Sequence, residues 1–313
     1  MKKKRINEKI YNVIIIGSGN IGAFYDDPDS VEILTHAHAF SVDSRFDLFG
    51  FYDADVEKAK KAAKIWGVEV FESYEALFQK PCDVVVVAVP DPYHLEVLQH
   101  VVKADGVKVI VLEKPVADSF ENAEKIHRLC ENRTVVVNFS RRFDRTVQEL
   151  RSDYLGKKLG NFVCGSAYYG KGFRHNASHM INLLQFIFDD RVEPVAKLGS
   201  LTDFYEHDQS ISGVFRINEE ALFCLHAVDN RLYWIFEVDL LFEKKRFRFV
   251  NSGSEVEIYE VKENPVYHTS DLLLEKNMPT QLNTSMTELV QAVYSVLSKG
   301  EGNVSSLEHA FKT

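Results

Sequence analysis

Through the first 140 residues, short apolar runs alternate with patterns of helical period. The segments 12–16, 46–52, 68–70, 84–89, 107–112 and 134–139 are rich in β-branched and aromatic residues and predict strands. Between them, 55–66, 94–104 and 119–132 predict helices. Two of the runs, VVVVAV and VIVL, are apolar at every position, as befits strands buried on both faces of a parallel sheet. Strands and helices alternating in this way predict repeated βαβ units and an α/β fold.

The pattern changes after Arg142. One helical stretch, 179–188, precedes strand-like segments between 195 and 266, many of them alternating, as in RLYWIFEVDLLFEKKRFRFV. Such alternation suits a largely antiparallel sheet with one face covered. A last helix is predicted over 286–298. At about 150 residues per domain, the 313 residues predict two domains, placed at 1–140 and 141–313. Neither an internal repeat nor a Pro/Gly/Ser linker marks the boundary.

The composition, 45% hydrophobic and 27% charged, lets both domains bury a core. A formal charge of −9 opposes general affinity for nucleic acid or anionic membranes, which need surplus Lys and Arg. The local run from Lys2 to Arg5 reads as a solvated terminus rather than a signal peptide, because Asn7, Glu8 and Lys9 separate it from the apolar run ending at Gly17. The longest apolar stretch, 84–89, is far shorter than the roughly 20 residues that span a bilayer. Cys82, Cys130, Cys164 and Cys224 form no C-x-x-C pair, which predicts reduced, mostly buried thiols in a cytoplasmic protein.

Candidate chemistry begins directly after the first strand, where Gly17, Ser18, Gly19, Asn20, Ile21 and Gly22 meet G-x-G-x-x-G. Glycines there permit a tight turn and let backbone N–H groups approach a pyrophosphate. The second strand leads to Asp53, where an acid binds ribose hydroxyls and repels a 2′-phosphate, favouring NAD over NADP. A helix cap is the other reading of that acid, although Asp55 would serve as well. The distance from Gly17 to Asp53 is stretched by an insertion, FYDDPDSVEILTHAHAF, carrying His36 and His38. With no carboxylate or thiol at ligand spacing, these two histidines predict surface or cleft-edge residues rather than metal ligands.

The fourth and fifth strands run into AVPDPYHLEV and VLEKPVADS, at strand carboxyl ends where ligands of open α/β sheets sit. Lys114 is either a surface lysine paired with Glu113 or a positioned ammonium able to hold a substrate oxygen. In GKGFRHNASHMINLL, His175 and His179 stand four apart. Their H-x-x-x-H spacing lacks the interior Glu of H-E-x-x-H and a nearby third ligand, so no metal is predicted.

Taken together, GSGNIG (17–22), Asp53, AVPDPYH (88–94), EKP (113–115), NFSRRF (138–143) and GKGFRHNASHMINLL (170–184) resemble the glucose-fructose oxidoreductase, inositol dehydrogenase and MocA family of NAD(P)-dependent oxidoreductases. The likeness covers nearly the whole chain. It implies a Rossmann domain with a doubly wound parallel sheet, then an α+β domain with a large, mostly antiparallel open sheet that makes homodimers or homotetramers. It also implies an enzyme that uses NAD on a sugar, cyclitol or nucleotide sugar, with Lys114 and His179 as catalytic residues. Gly17, Ser18, Gly19, Asn20 and Ile21 would hold the pyrophosphate, Asp53 the ribose, and Pro90, His94 and Glu113 would border the cofactor. Arg142, Tyr168, Arg174, His175 and Asn176, with Tyr169 and Arg141 beside them, would shape the substrate site.

The chain departs from the inositol dehydrogenase pattern in carrying His175 and Asn182 where that pattern has aspartates. The first change removes the usual carboxylate partner of the histidine. The H-N-x-S-H version resembles a subgroup associated with sugar and sugar-nucleotide pathways, often for surface polysaccharides. The closing SSLEHAFKT resembles the first two turns of the family's final helix, with Ser305 or Ser306 as N-cap. A regulator of the same fold, binding NAD and sugar without catalysis, is the alternative function.

Overall fold

The computed structural model describes residues 9–313, so the Lys2 to Arg5 run lies outside the described residues. The chain forms two compact units: residues up to 138 together with 284–311, and 139–283 together with 312–313. This corrects the expectation of a single domain over 141–313, because the C-terminal helical segment returns to the first unit.

In the first unit, β1 (Tyr11–Ile16), β2 (Phe46–Tyr52), β3 (Glu69–Phe71), β4 (Val84–Val87), β5 (Val109–Leu112) and β6 (Thr134–Val137) form a parallel sheet in the order β3-β2-β1-β4-β5-β6. The strand order reverses between β1 and β4, the switch point of a doubly wound sheet, where ligands bind outside the strand carboxyl ends. Every residue of β4 and β5 is buried, which is why their sequences are apolar at each position.

The connections carry α1 (His36–Ser41), α2 (Val56–Trp66), α3 (Tyr74–Phe78), α4 (His94–Val101) and α5 (Phe120–Leu129). Thr35, Asp55, Ser73 and Ser119 start α1, α2, α3 and α5 by accepting first-turn N–H groups. Asp55 therefore caps α2, and Asp53 is left for another purpose. The insertion folds around the carboxylate of Asp26, which accepts from Leu34 N, Thr35 N, Thr35 Oγ1 and the ring of His38. His36 and His38 are accordingly 0% and 3% exposed, not surface residues, because α1 turns both inward.

The second unit opens with α6 (Arg145–Leu155), a helix the hydrophobic pattern did not reveal. Asp144 caps it through Thr146 N, and Val147 and Leu150 are buried. After it come β7 (Phe162–Tyr169), α7 (Ser178–Ile187), β8 (Val192–Tyr205), β9 (Asp208–Ile217), β10 (Ala221–Ala227), β11 (Phe236–Phe242), β12 (Lys245–Val250), β13 (Glu255–Asn264) and β14 (Thr269–Pro279). The sheet order is β14-β13-β12-β11-β7-β10-β9-β8, antiparallel except between β7 and β10.

Alternation sorts the two faces of this sheet. Ala167, Tyr169, Phe236, Val238, Leu240, Phe247, Phe249 and Val256 are buried on one face. The other carries Tyr168 and the ion pairs of Asp239 with Arg246 and of Arg248 with Glu257.

The chain then re-enters the first unit as α8 (Ser285–Lys299) and α9 (Leu307–Phe311). Tyr294 packs edge-on against Tyr11 and Phe46, and the Val137 N–H donates to Ser305 O at 2.8 Å. Ser306 accepts from His309 N at the start of α9. All four cysteines are free; Cys82 and Cys130 are buried, but Cys164 is exposed because it lies on the uncovered face of β7.

Candidate active site

The glycine turn after β1 is shaped by what a side chain would strike. A Cβ on Gly17 would lie 2.6 Å from the carbonyl of Ala88, and its φ of +103° suits glycine alone. A Cβ on Gly22 would stand 2.3 Å from Gly17 O. Gly19, by contrast, would direct a Cβ into open space with nothing within 4 Å. The turn is thus closed against the protein and open where a phosphate would approach. Asn20 is exposed and Ile21 half-buried along its rim.

Asp53 is tied into this turn. Its Oδ2 accepts from Ser18 N at 2.7 Å and its Oδ1 from Asp55 N at 2.9 Å. The acid is held beside the glycine turn, and carboxylate lone pairs remain for hydroxyl donors. These donors and acceptors fit a dinucleotide: Gly17 to Ile21 would hold the pyrophosphate and Asp53 a ribose.

The loops after β4 and β5 carry the next group. Pro90 is exposed. His94 is 0% exposed, its ring nitrogens facing Val116 O at 3.0 Å and Val89 O at 2.9 Å. It braces the two loops from behind, rather than presenting its ring to a ligand. Lys114 is half-buried, just beyond β5.

Glu113, expected at the cofactor, instead turns its carboxylate inward at 8% exposure. Its Oε1 meets His36 Nε2 and Asn138 Nδ2, each at 2.7 Å. Burial alone would raise its pKa. The bond to His36, the Asn138 amide and the positive charge of Lys114 outweigh that and hold it below the ordinary range.

In the second unit, GKGFRHN folds over the β8–β9 hairpin. Asp203 Oδ2 accepts from Lys171 N at 2.6 Å, and Ser210 Oγ accepts from Gly172 N at 2.9 Å. Asn176, buried, donates to Gly170 O at 2.7 Å and closes the loop on itself. Asp208 then caps the wide turn Phe173–Ala177, accepting from Arg174 N at 2.9 Å and His175 N at 3.0 Å. Its Oδ2 also receives His175 Nδ1 at 2.7 Å, while Tyr205 stacks on the ring.

Here burial again pushes the carboxyl upward, but the His175 ring and the two backbone donors prevail and keep Asp208 below the usual carboxylate range. A hairpin 33 residues later thus supplies a carboxylate to His175 itself. Sequence reading missed Asp208, since nothing local distinguishes it from any acid in a turn.

His179 lies in the first turn of α7, its ring edge-on to Phe139 at 5.8 Å and Phe236 at 6.3 Å. Phe236 pairs with Tyr169 on the covered face of the sheet. Tyr168 therefore points the opposite way, stacked on His226 at 5.1 Å, and does not share the face of His179. Tyr169 is consumed by packing, its hydroxyl donating to Ile211 O and accepting from Ile211 N.

Arg142, expected to meet substrate, is 2% exposed; its Nε donates to Asn182 Oδ1 at 2.6 Å and its guanidinium lies over Phe186. Asn182, at the second departed aspartate position, is thereby a packing residue. Arg141 lies over Phe236 at 3.7 Å, and burial pushes its pKa down to about 10. Arg174 keeps 36% of its side chain exposed beside Asp208. Among the described residues, no three His, Cys, Asp or Glu side chains are grouped to hold a metal ion.

Residues 11–140 match the model of an oxidoreductase family with an NAD-binding Rossmann fold, GFO_IDH_MocA. A search of curated protein sequences finds no match to the chain. Among solved structures, the chain is similar to an NAD binding oxidoreductase from Klebsiella pneumoniae, at 14% identity and TM-score 0.77, covering 97% of this chain and 93% of that one. It is also similar to the UDP-N-acetylglucosamine 3-dehydrogenase GnnA from Acidithiobacillus ferrooxidans, at 15% identity and TM-score 0.71, covering 96% and 93%. A third is KijD10, a 3-ketoreductase from Actinomadura kijaniata in complex with NADP, at 13% identity and TM-score 0.75, covering 97% and 94%. At these identities the likeness is one of fold.

Proposed function

Because its residues 11–140 make this chain a member of the NAD-binding glucose-fructose oxidoreductase, inositol dehydrogenase and MocA family, we propose that it oxidises or reduces a secondary alcohol or ketone of a sugar, cyclitol or nucleotide sugar. The observation that carries the reading is the glycine turn, closed at Gly17 and Gly22, open at Gly19 and joined to Asp53 through Ser18 N. The acid at Asp53 favours NAD over NADP, since it would repel a 2′-phosphate.

Bound nicotinamide supplies the hydride acceptor or donor. His179 takes the proton of the reacting hydroxyl in the oxidative direction, an imidazole being suited to this at neutral pH. Lys114 donates a hydrogen bond to a substrate oxygen and stabilises negative charge developing on it. His175, oriented by Asp208, and Arg174 bind neighbouring substrate hydroxyl or acidic groups.

The substrate we favour belongs to surface polysaccharide assembly, on the likeness of the H-N-x-S-H segment to members of such pathways. The protein works in the cytoplasm as a homodimer or homotetramer. Support for assembly comes from the uncovered face of the second sheet, where Val261, Leu272 and Leu274 are 37%, 40% and 55% exposed.

The test is purified protein with NAD and a panel of sugars and sugar nucleotides. Lys114→Ala and His179→Ala should each abolish turnover while NAD still binds. Normal turnover in either variant rejects the assignment. Tight NAD binding by the wild type with no turnover across the panel would instead favour a non-catalytic regulator.

A further inference from the structure

We propose that Phe204, Trp234 and Lys171 form a subsite for the nucleoside diphosphate part of a nucleotide sugar, the base stacking on the exposed rings and the diphosphate meeting the ammonium. This deepens the functional reading above and rests on it for the sugar end of the substrate. All three residues belong to the second unit.

One buried carboxylate builds the subsite. Asp203 of β8, 6% exposed, accepts from Lys171 N at 2.6 Å, Ser210 Oγ at 2.9 Å and Asn230 N at 3.3 Å. It thereby ties the loop after β7 and the loop after β10 to the β8–β9 hairpin. The two loops meet at Gly170, where a Cβ would stand 2.7 Å from Val228 O and 3.1 Å from Asn230 Cβ. No side chain fits between them, so both are fixed where they cross.

On this fixed base the rings stay in water. Phe204 and Trp234 are 54% and 50% exposed, and the Lys171 Nζ lies 4.7 Å from the centre of the first ring and 5.7 Å from that of the second. A preformed pair of exposed aromatic faces is a surface that binding covers. Such faces suit a sugar or a base equally. The lysine decides between them, because among the described residues its ammonium meets these two rings and no carboxylate. The nearby acids are engaged elsewhere: Asp203 as above, Asp208 by the turn amides and His175, and Asp229 by Arg231. Arg174, on the same loop, adds a second cation whose pairing with Asp208 is loose at 3.8 Å. Cations beside stacking platforms are the means of holding a base together with its phosphates.

The order along this surface matches the order along such a molecule. Tyr205 stacks on His175 at 4.3 Å, and Phe204 meets Tyr205 edge-on at 4.7 Å. A row of rings thus leads from His175, assigned above to substrate hydroxyls, out to Phe204 and Lys171. The sugar takes the first end and the base the second.

Intrinsic fluorescence tests this without turnover, because the chain has two tryptophans and the other, Trp66, is 8% exposed. UDP, dTDP and GDP are titrated into the full-length protein, with uridine and glucose 1-phosphate as probes lacking the diphosphate or the base. At least one diphosphate should quench the emission, and Trp234→Phe should remove most of that quench. Phe204→Ala and Lys171→Gln, with Trp234 in place, should each raise the quench midpoint about tenfold, through lost stacking and a lost charge-assisted bond. Uridine and glucose 1-phosphate should each bind about tenfold more weakly than the diphosphate.

No quenching by any of the three diphosphates at millimolar concentration overturns the proposal. So does a quench that more than half survives Trp234→Phe, which would report binding near Trp66, whose indole N–H donates to Ala23 O beside the glycine turn. A midpoint unmoved in either Phe204→Ala or Lys171→Gln, or equal binding of uridine or glucose 1-phosphate, overturns it as well. A protein that turned over no sugar would still give the quench, and turnover of free sugars without it would leave the functional reading standing, so the two failures are distinguishable.

Discussion

Asp208→Asn isolates the carboxylate that holds the Phe173–Ala177 turn and the His175 ring. Asp208 is 4% exposed and accepts three N–H groups, from Arg174 N on one oxygen and from His175 N and Nδ1 on the other. An asparagine keeps the shape but turns one end into a donor. In its better orientation the amide oxygen serves His175 and the NH2 opposes Arg174 N, so at least one bond to a charged acceptor is lost. Such a bond is worth about 1.5–3 kcal/mol when a buried partner is left unmet. At about 1.4 kcal/mol per tenfold, a loss of about 2 kcal/mol raises the opening of this turn about 30-fold.

Hydrogen exchange of a peptide covering 170–180, read by mass spectrometry and corrected for intrinsic rates, should show that acceleration at the Arg174 and His175 amides. Exchange within threefold of wild type would refute the claim that Asp208 builds the turn. The pH dependence has a definite sign. The folded carboxyl sits below its ordinary value, so its contribution is complete at neutral pH and is lost only as pH falls through the depressed value, below about pH 4. Wild-type protection that faded between pH 7 and 5 would contradict this.

Other outcomes follow from the glycine turn and the sheet. Gly17→Ala should cost the first unit more than about 2 kcal/mol in urea denaturation, since the new Cβ meets Ala88 at 2.6 Å on a backbone that disfavours it. Gly19→Ala should leave stability unchanged yet weaken NAD about tenfold by calorimetry, because its Cβ would enter the open side of the turn, where we propose that the pyrophosphate binds. Asp53→Asn should weaken NAD about tenfold and narrow the preference over NADP, measured as the ratio of the two affinities. If the exposed face of β13 and β14 carries the proposed assembly, Leu272→Asp with Leu274→Asp should sediment as a monomer where the wild type sediments as a dimer or tetramer; an unchanged species would refute that face as the interface.

How far the sequence could be read depended on whether a residue's environment was local. β4 and β5 were legible because strands buried on both faces admit only apolar residues, and the second sheet because Phe236 to Phe242 alternate. By contrast α6 was missed, although Asp144 announces its start, because RTVQELRSDYL spends much of its length on solvated charge. The glycine turn was singled out by its spacing after the first strand and Asp53 by its place at the end of the second, but the bond joining Asp53 to Ser18 N needed the fold. Asp208, and the burial of His36, Glu113, His94 and Arg142, depend on partners distant in sequence. A polar residue's pattern does not reveal whether it faces a ligand or braces a loop from within.

The central claim is a hydride passed between nicotinamide and a sugar carbon, and isotope transfer tests it most directly. The protein is incubated with NADH deuterated at C4 and a panel of keto-sugars and keto-sugar nucleotides, and the products are analysed by mass spectrometry. The account predicts one deuterium on the carbon that bears the new hydroxyl, absent from reactions with Lys114→Ala or His179→Ala. Deuterium retained wholly in the cofactor, by wild-type protein that binds NADH and every partner on the panel, would contradict it.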